Sequence, residues 1–234
     1  MVTVYLYWAF WMVYCILTLI RSAVKITDPV YKVFQNLLLI IASICTFVTS
    51  IHLGVPLIAT AFFFDMMGDF FFSLRDFTTD VFKNVFPLWL ENAILNSVPF
   101  ILSLFISNLC RFWFFFDITP EYSLEALVVI VPFVLVSTAL IVFGAEKLSP
   151  LIVTLGGVYL VSNILGLFLT FNLFLLGAPT LFIGNLLVAS AVVIECLSAI
   201  LFPTDGVNYL TTIAHSLYFF GQHLTLVSLF AMII

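Results

Sequence analysis

Two aspartates lie inside an apolar stretch of the sequence. Asp65 and Asp69 are four residues apart, so a helix through this stretch carries both carboxyl groups on one face. An ionisable side chain at membrane depth is costly, and for that reason it indicates a functional site. Carboxyl groups held there can give up and take up protons. The competing interpretation is structural: both acids hydrogen-bond to neighbouring helices and serve packing or folding.

Other polar side chains fall in apolar stretches further along the chain. The candidates for the same site are Glu195, His215, Tyr218, Gln222, Tyr159 and Asn96. Counting from the ends of their segments places most of them in the same half of the membrane as Asp69. We therefore expect one polar cavity open toward the cytoplasmic leaflet. Each also has a structural interpretation, since Asn, Gln, Tyr and His often bridge helices and a glutamate near a helix end can extend to the interface.

The composition indicates which kind of secondary structure positions these residues. The chain of 234 residues is 64% hydrophobic and 8% charged, with a mean hydropathy of +1.29. Soluble domains carry about 25% charged residues. A water-exposed surface of ordinary polarity is therefore impossible here, and the sequence predicts an all-α, multi-pass integral membrane protein with a single domain over residues 1–234.

The sequence contains eight apolar stretches that are long enough to cross a bilayer, which takes about 20 residues. They are residues 2–20, 33–51, 53–74, 92–116, 123–143, 149–171, 179–202 and 208–233. Six of the seven Lys and Arg residues fall on one face, which the positive-inside rule assigns to the cytoplasm. Both termini are then on the non-cytoplasmic side. Arg111 is the exception, and we expect it to extend to the outer interface.

Several functional classes lack support in the sequence. The four cysteines lie in apolar segments without CxxC spacing, so they predict no metal or redox site. The net charge of −5 and the absence of a basic stripe argue against nucleic-acid binding. The sequence contains no HExxH, GxSxG or P-loop motif. We therefore expect no cofactor and no resident metal.

Three short segments, in order and spacing, resemble the YhhN-like lysoplasmalogenase family. Residues 58–73 (I-A-T-A-F-F-F-D-M-M-G-D-F-F-F-S) resemble the apolar-Gly-Asp-apolar segment of the family's third span. Residues 218–222 (Y-F-F-G-Q) resemble its Tyr-Tyr-x-x-Gln in the last span, and residues 184–190 (G-N-L-L-V-A-S) fall where it has Gly-Ala-x-x-Phe-x-x-Ser-Asp. Chain length and number of spans agree with the family as well.

The resemblance implies hydrolysis of the vinyl-ether bond of a lysoplasmalogen, a lysophospholipid, to a fatty aldehyde and a glycerophospho-base. Of the family's two acids only Asp69 carries over, as the general acid; our own hypothesis adds Asp65 or Glu195 as the ionised partner. Tyr218 and Gln222 are then expected to position the substrate head. The family's second acid has no counterpart here, because Ala191 and Val192 occupy that place.

Other functions stay open on the sequence alone. A chain that lacks the second acid is also consistent with a catalytically impaired scaffold or a lipid-binding protein. Asp65 and Asp69 are consistent with a small proton-coupled transporter. A metal-dependent amidase that uses His52, His215 and His223 is less well supported, because these histidines lack the i, i+4 spacing of helical metal sites. Organelle, oligomeric state and lipid preference do not follow from the sequence.

Overall fold

The chain folds into a bundle of helices that are long and apolar enough to cross a membrane. The computed structural model describes residues 2–80, 87–95, 97–202 and 208–233. Eight helices within these residues have the length and composition of membrane spans, which confirms the predicted multi-pass all-α class. They are α1 (Val2–Val24), α2 (Pro29–Ile51), α3 (Pro56–Asp80), α5 (Val98–Ile118), α6 (Glu125–Ala145), α7 (Pro150–Leu175), α8 (Pro179–Leu201) and α9 (Tyr209–Ile233).

The predicted fourth span, residues 92–116, is wrong as one continuous helix. A short helix, α4 (Leu88–Leu95), ends before α5 begins at Val98. Between them Ser97 takes a left-handed conformation, with φ of 59°. Pro99 explains where α5 starts, because proline suits the first turn of a helix.

Helix starts follow ordinary capping chemistry. Asp28 caps α2, where its Oδ1 accepts hydrogen bonds from the backbone N–H of Val30 (2.7 Å) and Tyr31 (3.2 Å). Proline opens α2, α3, α7 and α8. Gly54 and Gly177 have φ of +68° and +99° and provide the tight turns before α3 and α8.

Successive spans alternate in direction, so the bundle has two distinct ends. One end is filled by a cluster of buried apolar side chains near the α2–α3 and α7–α8 turns; we call it the closed end. The members are Leu53, Ile58, Phe62, Phe115, Leu169, Leu173, Leu181, Leu226 and Leu229. The opposite end is formed where α3, α6 and α8 finish and where α5, α7 and α9 begin, and we call it the cavity end.

The outer surface of the bundle is apolar along its helices. On α6, for example, Val128 and Leu135 are 74% and 65% exposed. Contact with lipid tails accommodates such side chains without cost, whereas a water-facing helix would not carry them so densely. The exposed faces thus agree with a bundle that lies in a bilayer.

Candidate functional site

A cavity of about 440 Å³ occupies the cavity end of the bundle. Its wall comes mainly from α3 and from α5 to α9, and most of the lining side chains are apolar. Gly144 of α6, Ile152 of α7 and Phe202 after α8 line it near the helix ends. Its size lies in the range of about 300–1,000 Å³ that small-molecule sites have.

Five of the residues selected from the sequence line this large cavity. They are Asp69, Tyr159, Glu195, His215 and Tyr218. These residues come from four different helices, and the packing of the bundle brings them together. The convergence expected from their depths is therefore found for this set.

Asp65 and Gln222 line a second, much smaller space between α2, α3 and α9. This small chamber has a volume of about 10 Å³, and Ser43 and Thr46 of α2 complete its polar wall. Asp69 and Tyr218 line both the small chamber and the large cavity. These two side chains therefore stand at the boundary between the two spaces.

Asp65 is the partner of Arg111 in a buried ion pair. Nη2 of Arg111 donates hydrogen bonds to Oδ2 of Asp65 and, at 2.6 Å, to Oε1 of Gln222. Its guanidinium also lies 5.0 Å from the centre of the Phe62 ring. Arg111 is only 5% exposed. The expectation that it reaches the outer interface is wrong, because a carboxylate and an amide inside the bundle bind the charge that would otherwise seek water.

Asp69 has a different environment, although it lies one helical turn from Asp65. The hydroxyl of Ser43 on α2 donates a hydrogen bond to its Oδ2. No cation lies within ion-pair distance of Asp69 among the residues that the structure describes. Its side chain is 7% exposed and meets the large cavity. One of the two acids is thus neutralised by a cation and the other faces the cavity without one.

Three buried polar atoms in the wall of the small chamber have no hydrogen-bond partner among the residues that the structure describes. They are Oδ1 of Asp65, the hydroxyl of Tyr218 and Nε2 of Gln222. Buried polar groups are nearly always hydrogen-bonded, and a buried water molecule typically makes about three such bonds. A space of about 10–15 Å³ is enough for one water. The chamber thus has the size and the hydrogen-bonding groups that one water molecule requires.

The cavity end also carries a cation and an acid that do not pair with each other. Arg75 donates a hydrogen bond to the Ser97 hydroxyl (2.7 Å) and stacks at 5.0 Å on the Phe72 ring. Oε2 of Glu195 is buried and has no hydrogen-bond partner in the described part of the chain. Both side chains line the large cavity.

The two histidines of α9 serve mainly as contacts between helices. Nδ1 of His215 lies 2.7 Å from the Tyr14 hydroxyl, and its ring packs edge-on against Phe72 at 4.8 Å. Nε2 of His223 accepts a hydrogen bond from the Trp8 indole at 3.2 Å. The described residues contain no group of three His, Cys, Asp or Glu side chains that would hold a metal ion.

Sequence reasoning missed three side chains that shape the site: Ser43, Arg75 and Arg111. Arg111 had a usable signal, since a charged residue within an apolar span must find a partner. Ser43 had none, because serines are common in membrane helices. Asn96, selected as a substrate-binding residue, lies outside the residues that the structure describes.

No protein-family model, curated protein or solved structure matches this chain. The resemblance to YhhN-like lysoplasmalogenases is untested and stays a prediction.

Proposed function

We propose that this protein hydrolyses the vinyl-ether bond of a lysoplasmalogen within the membrane, with Asp69 as the general acid. One observation carries the proposal: two acids one turn apart occupy opposite environments, and the one without a cation faces a largely apolar cavity. Pairs of carboxyl groups with such divergent surroundings divide the roles of acid and ionised partner in hydrolases.

The first step is proton transfer to carbon. Asp69, buried and without a cation partner among the described residues, gives its proton to the β-carbon of the vinyl ether in the large cavity. The double-bond electrons form the new C–H bond and leave an oxocarbenium ion at the α-carbon. The Asp65 carboxylate, paired with Arg111, lies one turn away and stabilises this cation.

The second step is capture by water from the small chamber. Oδ1 of Asp65, the Tyr218 hydroxyl and Nε2 of Gln222 orient that water, whose oxygen bonds to the α-carbon. The proton that water loses returns to Asp69. The bond between the hemiacetal carbon and the glycerol oxygen then breaks as the hemiacetal hydroxyl loses its proton and the glycerol oxygen gains one. The products are the fatty aldehyde and the glycerophospho-base, so one water is consumed per bond broken.

The arrangement of charges also supports an orientation in the membrane. Arg21, Lys25, Lys32, Arg75 and Lys147 belong to the cavity end, while Arg111 is inside the bundle. Under the positive-inside rule the cavity end then faces the cytoplasm, and the substrate enters from that leaflet.

The test is aldehyde release by the purified protein in lipid nanodiscs. Asp69→Asn is expected to lower the rate by about 10²–10⁴-fold, the contribution of a general acid. Asp117→Asn removes an exposed carboxyl on α5 and is expected to leave the rate unchanged. In ¹⁸O water the released glycerol hydroxyl is expected to keep the unlabelled ether oxygen, since water attacks the alkenyl carbon. Wild-type activity in Asp69→Asn would remove the assignment.

A lipid-binding protein without turnover is the second candidate. It is favoured by Val192, which lines the large cavity where the related family has its second acid. In that case wild-type protein binds lysolipid and releases no aldehyde. If Val192→Asp then releases aldehyde and the wild type does not, the missing carboxyl group is the reason for the lack of turnover.

A further inference from the structure

Arg75 and Glu195 are two charged residues of the large cavity that have no role in the proposed reaction. Apart from them, Asp69 is the only Asp, Glu, Lys or Arg among the described residues that line it. The proposed chemistry needs neither, because Asp69 and Asp65 supply the acid and its partner. Two opposite charges in a largely apolar wall still require an explanation, since a charge that is removed from water without an ion-pair partner is costly.

The two charges do not satisfy each other. No ion pair joins Arg75 or Glu195 to another described residue. Both side chains line the same cavity. Arg75 is held in place by Ser97 and Phe72, while the buried Oε2 of Glu195 has no hydrogen-bond partner among the described residues. A ligand with a negative and a positive group would fit between them.

The position of the pair relative to Asp69 indicates which part of the ligand they bind. Arg75 follows Asp69 by six residues on α3, so it lies about 9 Å closer to the cavity end. In a lysoplasmalogen, the three glycerol carbons and one oxygen separate the vinyl-ether oxygen from the phosphate. With the vinyl ether at Asp69, the headgroup is therefore directed toward Arg75 and Glu195.

We propose that Arg75 and Glu195 form a subsite for a phosphoethanolamine headgroup, with the phosphate on Arg75 and the primary ammonium on Glu195. This inference rests on the proposed function for the placement of the substrate. A guanidinium donates paired hydrogen bonds to phosphate oxygens. A primary ammonium donates N–H hydrogen bonds to a carboxylate, whereas the trimethylammonium of choline has no N–H. The subsite thus favours ethanolamine over choline.

The experiment uses lipids that cannot be hydrolysed, so that binding is measured apart from turnover. Purified protein in nanodiscs is titrated with four lipids that share a 1-O-alkylglycerol body. Three carry a phosphate, which bears ethanolamine, choline or no further group, and the fourth is 1-O-alkylglycerol itself. The ethanolamine lipid is expected to bind tightest and alkylglycerol weakest. Arg75→Gln is expected to weaken binding of the three phosphate lipids about 10-fold or more and to leave alkylglycerol unchanged. Arg75→Lys is expected to retain part of the phosphate affinity.

Glu195→Gln is expected to abolish the preference for ethanolamine over choline without affecting alkylglycerol. The matched controls are Lys147→Gln and Glu146→Gln, which remove exposed charges at the same end of the bundle and are expected to change nothing. Equal affinity of the wild type for alkylglycerol and the ethanolamine lipid would overturn the proposal. So would an equal loss of phosphate affinity in Lys147→Gln, because the surface charge would then be responsible.

The two proposals fail independently. Headgroup discrimination without aldehyde release from any lysoplasmalogen would leave the subsite in place and remove the hydrolase. If the protein releases aldehyde but substitution of Arg75 and Glu195 changes neither the rate nor the lipid affinities, the hydrolase stays and the headgroup subsite is removed.

Discussion

The ion pair between Asp65 and Arg111 gives the sharpest prediction about stability, because its two members respond differently when the partner is removed. Asp65 and Arg111 are 6% and 5% exposed. Arg111→Met leaves the Asp65 carboxylate without its cation, but the carboxyl group can still accept a proton. Asp65→Asn leaves a guanidinium that keeps its charge at any accessible pH.

The size of the first effect follows from the cost of protonating a carboxylate. An aspartate in water has a pKa of about 3.9, and each pH unit above it adds about 1.4 kcal/mol to that cost. Arg111→Met is therefore expected to lower the free energy of unfolding by up to about 4 kcal/mol at pH 7 and by about 1.5 kcal/mol at pH 5. The sign follows because the folded variant holds a proton that the unfolded chain releases, so rising pH favours unfolding.

The companion variants separate charge from packing. Asp65→Asn is expected to lose about 3–5 kcal/mol with no recovery at pH 5, because a guanidinium keeps its charge at both pH values. The double variant Asp65→Asn/Arg111→Met removes both charges and is expected to be more stable than either single variant. Asp117→Asn, on the exposed surface of α5, is expected to stay within about 0.5 kcal/mol of the wild type.

The free energy of unfolding is measured by titrating SDS into mixed micelles and following tryptophan fluorescence at pH 5 and pH 7. An equal loss for Arg111→Met at both pH values would mean that Asp65 is not the charge left behind. Wild-type stability of Asp65→Asn would show that Arg111 does not depend on this carboxylate.

Two further predictions test the packing and the cavity. A Cβ at Gly221 would lie 2.5 Å from the carbonyl oxygen of Gly184, so Gly221→Ala is expected to lower the free energy of unfolding by about 1–3 kcal/mol. Gly166→Ala, whose Cβ would meet only the Asn185 side chain at 3.7 Å, serves as control in the same SDS titration and is expected to cause no loss. A Cβ at Gly156 meets nothing within 4 Å, so Gly156→Phe is expected to fill the cavity and lower kcat/KM about 10-fold in the aldehyde assay. Val158→Phe, at an exposed position on the same helix, is expected to keep wild-type kcat/KM, and equal losses in both would argue against substrate binding in the cavity.

The break between α4 and α5 has a local sequence signal that hydropathy does not detect. Hydropathy alone joined residues 92–116 into one span, since a few polar residues are tolerated in a membrane helix. Pro99 was nevertheless a local indication that a helix starts near Val98. The left-handed conformation of Ser97 carried no such signal, because serine rarely adopts it without constraint from the surrounding chain.

The sequence by itself determined that the chain forms membrane-spanning helices, because each apolar stretch is long enough to cross a bilayer as a helix, which satisfies its polar backbone groups within its own segment. Helical periodicity also placed Asp65 and Asp69 on one face. Which acid pairs with a cation was decided only by tertiary structure. Arg111 approaches from α5, 46 residues away in sequence, and forms its ion pair with Asp65. Ser43 on α2 approaches Asp69, and the packing of α5 to α9 leaves a cavity beside it. Such long-range contacts depend on how the helices pack, and no local pattern in the chain encodes that packing.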